Sequence, residues 1–495
     1  MSKKMKYFKS VFCLLLALTM LCGCTAATED NETATTEKEN TITVINDSTE
    51  DETTTSEFSA ETTSATTEKS SETSSETTSG KSSETAEDTT AETRTQGEKT
   101  TDKITEKTTK KTTEKTTEKT TKKTTEKTTE KTTEKTGDKV QDYINSMSLE
   151  EKVGQLFIVF PEALSGTDGG AGLNDKESAS AVTSVTSGVK SAIKKYHIGG
   201  VVMFAQNVKT PSQISQFNKD LQAASKIPLF IAVDEEGGKV ARLARNSNFS
   251  LTKYTSAADV GASGSTDKAY SMGKTIGAYL KKYGFNMDFA PVADVNSNPD
   301  NPVIGDRSFS SDPATAAKLA GACARGLKSQ GVIPTFKHFP GHGDTAEDSH
   351  KSLAVNNHTL DRLMKDDWLP YLNNDLSGCA VMVGHIALPK VTGSMKSAAV
   401  DKEVVTDLLR KKIGFNGLVI TDSMKMQGVT DSYDTGTASI MAINAGCDIV
   451  LMPQNFVKSY NAVLSAVKEG RISESRFNQS LYRIISTKMN YGIIK

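Results

Sequence analysis

Cysteine is scarce and badly placed for bridging. Cys13, Cys22 and Cys24 lie in the first two dozen residues, which leaves only Cys323, Cys379 and Cys447 further on. An odd, widely spaced set excludes a disulfide framework, and because Cys379 and Cys447 each open an apolar run they read as buried thiols. Charge of one sign is also missing: the formal net charge is −2 and no basic stripe stands out, so nucleic acid has no footprint here. Large apolar side chains are nearly absent from residues 25 to 138, which are threonine, serine, glutamate and lysine. Such a stretch has nothing to bury against the entropy of ordering and is expected to be disordered.

No apolar run at the N-terminus is long enough to span a bilayer. The stretch Val11 to Leu21 falls well short of the roughly 20 residues a spanning helix needs, and Lys3, Lys4, Lys6 and Lys9 precede it, so residues 1–24 read as an export signal. Its end, Leu21-Cys22-Gly23-Cys24, resembles a bacterial lipoprotein box. That resemblance implies lipid attachment at Cys24 and a place on the outer face of the cell membrane; an ordinary secretory signal cleaved near Ala26-Ala27 is the alternative. Within the linker, Thr108 to Lys135 repeats Thr-Thr-Glu-Lys or Thr-Thr-Lys-Lys, a period that matches no solenoid unit and whose β-branched residues disfavour helix. The simplest reading is a tether, with a root-mean-square span of about 60 Å as a flexible coil. Its basic tetrads are expected either to be solvated or to lie on anionic wall polymers.

Residues 139–495 bring their apolar side chains in eight bursts: Leu156–Phe160, Gly200–Phe204, Pro228–Val233, Phe285–Val295, Val332–Phe336, Cys379–Val383, Gly417–Ile420 and Cys447–Met452. Continuous apolarity in short runs suggests strands buried on both faces, and Asp267–Tyr283, Pro313–Ser329 and Asp401–Lys412 between them have helical periodicity. This predicts an α/β fold. A doubly wound sheet fits the alternation, but Asp234, Asp294, Lys337 with His338, His385 and Asp422 all finish bursts, and strand ends converge only in a (β/α)8 TIM-type barrel.

Histidine is concentrated. Lys337-His338-Phe339-Pro340-Gly341-His342-Gly343-Asp344-Thr345, followed at once by Asp348-Ser349-His350, holds three of the six, and His358 and His385 follow closely. Pro340, Gly341 and Gly343 forbid regular helix, so the segment is expected to be a loop over a pocket. Asp348 can hold one nitrogen of His350 and leave the other for proton transfer, or it can cap a turn on the surface. Ser349 lacks a nucleophile elbow, and three consecutive residues rarely meet in triad geometry. His338, His342 and His350 could supply metal nitrogens, but without helical spacing or a following glutamate no metal site or other cofactor is assigned. Gly341-x-Gly343 opens no apolar helix and is a poor dinucleotide fingerprint. Asp422 can attack an anomeric carbon or cap the next helix. Asp234 with Arg242 reads as a polyol clamp or a solvated acidic turn, and Arg307 as a second sugar contact or a surface ion pair.

Together Val233-Asp234-Glu235-Glu236-Gly237-Gly238, Ile304-Gly305-Asp306-Arg307-Ser308-Phe309, the long histidine motif and Thr421-Asp422-Ser423-Met424 resemble glycoside hydrolase family three, in its β-N-acetylglucosaminidase branch, from about Lys139 to Lys495. The resemblance implies retaining hydrolysis with Asp422 as nucleophile and His350, oriented by Asp348, as acid/base. It further implies a terminal sugar held by Asp234, Arg242, Arg307, Lys337 and His338. The expected substrates are β-linked N-acetylglucosamine oligosaccharides of cell-wall or chitin type. Many family-three β-glucosidases carry the acid/base on a second domain; this chain stops after one last helix, Glu474 to Tyr491, which also speaks for the acetylglucosaminidase branch. Alternatives within the family are a β-glucosidase, a β-xylosidase or a phosphorylase, and outside it a non-catalytic wall-binding lipoprotein. The Gly/Ser/Thr-rich insertion Pro161 to Ser187 either covers the pocket or hangs free.

Overall fold

The computed structural model describes residues 138–165 and 181–495. The export segment with Cys24, the threonine-rich linker and the middle of the 161–187 insertion lie outside the described residues.

The eight bursts form eight parallel strands: β1 (Phe157–Val159), β2 (Gly200–Met203), β3 (Phe230–Val233), β4 (Met287–Asp288), β5 (Ile333–Phe339), β6 (Ala380–Val383), β7 (Leu418–Thr421) and β8 (Val450–Leu451). Each pairs with its sequence neighbour in parallel register, as in Gly200 opposite Phe230 and Val383 opposite Thr421. β1 also pairs with β8 through Phe157 and Val450, and a bridge between Ile420 and Ile449 joins β7 to β8. The sheet therefore closes into the (β/α)8 barrel predicted from the bursts. Every residue of these strands is buried, because side chains pointing inward fill the barrel and those pointing outward meet the helices.

Two strands differ from expectation. β4 is much shorter than Phe285–Val295, and pairing resumes only as a bridge between Val292 and Lys337. β5 runs further than Val332–Phe336 and takes Lys337, His338 and Phe339 into the strand, so the first part of the histidine motif is sheet and only the rest is loop. The helices match well. Pro313–Ser329 starts where Asp312 caps it, its Oδ1 accepting from the Thr315 N–H at 2.8 Å, and the last helix covers Glu474–Asn490. Glu403–Lys412 is wound as a π-helix, closing with the Ile413 N–H on the Leu408 carbonyl. Cys323, Cys379 and Cys447 are buried free thiols; burial pushes Cys379 and Cys447 up to about 12, which leaves them inert as nucleophiles.

Candidate active site

The strands end on one side around a cavity of about 420 Å³, lined by Asp234, Arg242, Arg307, Lys337, His338, His350 and Asp422 among others. The volume is within the usual range for small-molecule sites. Seven of the eight catalytic and binding residues expected from sequence thus share one wall system. The eighth, Asp348, stands behind the cavity and accepts from His350, at 3.0 Å from its N–H and 2.9 Å from Nδ1. Asp348 therefore makes the turn and holds the ring at once. The turn uses its carboxylate to fix Nδ1, which leaves Nε2 of His350 for chemistry.

Asp422 follows β7 directly. The helix after it, Gln427–Thr430, is preceded by Met426 and has no side-chain cap, so the helix-cap reading of Asp422 fails. Its Oδ1 accepts from the Ser423 N–H at 2.7 Å. Burial works to raise the Asp422 carboxyl, but His338, His385, the Ser423 N–H and His350 outweigh it and hold the group below the ordinary aspartate value. An ionised carboxylate in a cavity is a nucleophile or a cation stabiliser. His385 supports it from behind: it is buried, with Nδ1 3.0 Å from Ser397 Oγ and Nε2 2.9 Å from the Ser423 carbonyl.

The sugar-binding candidates form a charged lattice whose centre sequence reasoning missed. Lys337 donates to Asp234 Oδ1 at 2.8 Å and pairs with Glu236 Oε1 at 2.7 Å. Arg307 grips the same Glu236 in a bidentate fork, both contacts at 2.8 Å. Burial would raise Glu236, but Arg307 and Lys337 drive it far below the usual carboxylate range. Arg307 is thus no surface ion pair: its side chain is only 11% exposed. Asp234 and Glu236, two apart in one motif, thus both reach Lys337. Arg242 lies 3.4 Å from Asp234 and over the Phe204 ring, and its buried Nε has no partner. Its backbone is set by Glu235, a buried carboxylate that accepts the N–H groups of Arg242, Leu243 and Ala244 and the Tyr279 hydroxyl. Asp234 and Arg242 are therefore paired and partly buried rather than a fully solvated turn.

Asp294, expected at a strand end, lies six residues beyond β4 and does not line the cavity. It accepts from the His338 N–H at 3.1 Å, from His338 Nδ1 at 2.7 Å and from the His342 N–H at 2.7 Å. Fixing Nδ1 leaves His338 Nε2 for the cavity. His342 spends both ring nitrogens on the loop itself, on Thr345 Oγ1 at 2.6 Å and Ser349 Oγ at 2.8 Å. Ser349 is buried against that ring, away from any triad with Asp348 and His350. The motif's glycines admit close approach: a Cβ at Gly343 would collide with the Val295 carbonyl, and Gly341 at φ 119° packs on Asp367.

The described chain is a closed barrel with carboxylates, cations and an aspartate-oriented imidazole at its C-terminal strand ends. The chain belongs to glycosyl hydrolase family 3: residues 148–487 match that family's N-terminal domain. It is 34% identical over 338 residues to beta-hexosaminidase A of Pseudoalteromonas piscicida, covering 62% of this chain and 56% of that relative. To beta-hexosaminidase LpqI of Mycobacterium tuberculosis it is 34% identical over 359 residues, 69% of this chain and 83% of the relative. Among solved structures, a family 3 beta-N-acetylglucosaminidase from a Paenibacillus species superposes with a TM-score of 0.64 at 33% identity, over 70% of this chain and 63% of that one. The chain thus spans little more than half of the first of these relatives.

Proposed function

We propose that the protein is a retaining exo-β-N-acetylglucosaminidase that works through a covalent glycosyl-aspartate on Asp422. The observation that carries this reading is that an ionised Asp422, unused as a cap, lines the same cavity as His350, whose Nδ1 is fixed by Asp348. In the first step the Asp422 carboxylate forms a bond to the anomeric carbon as the bond to the leaving oxygen breaks, and His350 gives that oxygen its proton. In the second, His350 takes a proton from water as the water oxygen displaces Asp422. An imidazole beside a carboxylate avoids the repulsion that a pair of carboxylates would suffer.

Asp234, Arg242, Arg307, Lys337 and His338 hold the terminal sugar, with carboxylate and cation alternating so that hydroxyls meet acceptors and donors in turn. The names of the relatives support N-acetylglucosamine as that sugar. The export signal and Cys24 support a lipid-anchored enzyme outside a bacterial membrane, acting on cell-wall fragments, with the linker as reach. The test is release of p-nitrophenol from the β-N-acetylglucosaminide and the β-glucoside side by side. Preference for the acetamido sugar is expected; cleavage of neither returns the protein to a wall-binding role.

A further inference from the structure

The acid/base pair of the proposed function sits on a loop that leaves β5 and is held only in part by its own contacts. His350 is 64% exposed and Lys351 80%. Inside the loop, His342 ties Thr345 to Ser349, and Glu347 accepts from the Val355 N–H. These bonds shape the loop, but they do not fasten it to the barrel.

Ala354 and Val355 pair with Ile386 and Ala387 beyond β6, and Asn301 Nδ2 donates to the Thr345 carbonyl at 2.9 Å; the remaining fastening lies at its neck. His358 puts Nδ1 2.8 Å from Asp367 Oδ2 and Nε2 2.9 Å from Asp344 Oδ2. Asp344 is where the loop departs and His358 is where it returns, with Asp348 and His350 between. Asp367, only 2% exposed, also accepts from Asn356 Nδ2 at 3.3 Å, and that same amide reaches the Gly341 carbonyl at 3.1 Å. Ser297 Oγ holds the other oxygen of Asp344 at 2.9 Å. Trp368, next to Asp367, donates its indole N–H to the Pro340 carbonyl at 2.9 Å.

We propose that His358 is a positioning residue: as an imidazolium bridging Asp344 and Asp367 it clasps the two ends of the 345–357 loop and so keeps His350 at the substrate. The role of His350 in this rests on the function proposed above; the clasp itself does not.

Only the charged ring can donate to both carboxylates, since a neutral imidazole has one N–H. The hydrogen bond to Asp367 raises His358 above the ordinary histidine value; burial opposes it, Asp367 and Asp344 add to it by charge, and Arg362, itself paired with Asp366, works against it. With a raised folded value, the charged ring is fully present below the unfolded value of about 6.5 and is lost as pH rises through the folded one, while burial raises the Asp367 carboxyl and so sets the acid limit of the clasp.

The experiment pairs hydrogen exchange with kinetics on the full chain. In His358→Ala, amides of residues 345–357 should exchange at least about tenfold faster while the barrel strands are unchanged. Turnover of diacetylchitobiose, a poor leaving group, should fall roughly tenfold to a hundredfold with little change in KM, and that of a dinitrophenyl N-acetylglucosaminide only about threefold or less. The double variant with His350→Ala should lose no more than His350→Ala alone. Asp344→Asn, on the more exposed side, should repeat the exchange result more mildly and decides the matter if His358→Ala loosens the whole barrel. Unchanged exchange in the loop, or equal losses on both substrates, overturns the clasp. If the unaltered enzyme cleaves neither glycoside, the proposed function falls while the exchange comparison still judges the clasp.

Discussion

Asp294→Asn should uncouple the site from the barrel, at a cost that the geometry fixes. The buried carboxylate serves three donors, the two N–H groups of His338 and His342 and the ring Nδ1 of His338. Asparagine keeps the volume but only one acceptor oxygen. Turned to His338, that oxygen still meets two donors, and the amide nitrogen then confronts the His342 N–H. One orphaned buried N–H costs about 1–3 kcal/mol, and the loss of charge assistance on the other two bonds brings the total to about 3–5 kcal/mol. For a domain of this size that is a drop in Tm of about 4–7 °C. The pH dependence supplies a second check. Burial alone would raise the Asp294 carboxyl, but His338, His342 and their N–H groups hold it below the ordinary value. A depressed folded value means the stabilisation is present above the unfolded value of about 3.9 and is lost as pH falls through the folded one. Thermal unfolding of both proteins should therefore show the full gap at neutral pH and a narrowing gap below about pH 4. A gap under about 2 °C, or one that does not change with pH, would refute the reasoning.

Other substitutions test neighbouring parts of the account. His350→Ala should lose about a hundredfold or more on diacetylchitobiose yet keep much of its rate on dinitrophenyl glycosides, as steady-state kinetics on both will show. Glu236→Ala leaves Arg307 and Lys337 facing Asp234 alone; chemical denaturation should report about 3–5 kcal/mol lost, with a raised KM. Ser349→Ala should retain turnover within a few-fold, whereas complete loss would revive a serine nucleophile. Lys488 is buried with Gln155 Oε1, the Gly199 carbonyl and the Phe230 ring as its neighbours, and burial holds it well below the usual lysine value. Between that value and about 10.4 the unfolded chain binds the extra proton, so stability rises with pH there; Lys488→Met should remove that slope in unfolding curves.

The barrel was legible because buried parallel strands write themselves as uninterrupted apolar bursts, and because Asp234, Lys337, His338 and Asp422 stand at their ends. Where the backbone departs from regular strand the bursts misled: β4 stops at Asp288, well short of Val295, and Asp294 turns to His338 and His342 rather than lining the cavity. Residues that touch a ligand cavity declared themselves by type and spacing. Those that orient them did not, since Glu236, His342, His358 and Asp367 acquire partners up to a hundred positions away, as in the pairing of Glu236 with Lys337. His358 and His385 counted toward the clustering of histidines, but the fold sends one to the loop neck and the other behind Asp422.

The central claim is the bond to Asp422. Incubation with a 5-fluoro N-acetylglucosaminyl fluoride, which slows the second step more than the first, followed by peptic digestion and mass spectrometry, reads it directly. The account predicts one added sugar on the peptide containing Thr421-Asp422-Ser423, absent from Asp422→Ala. A label on another carboxylate, or full turnover by Asp422→Ala, would contradict it.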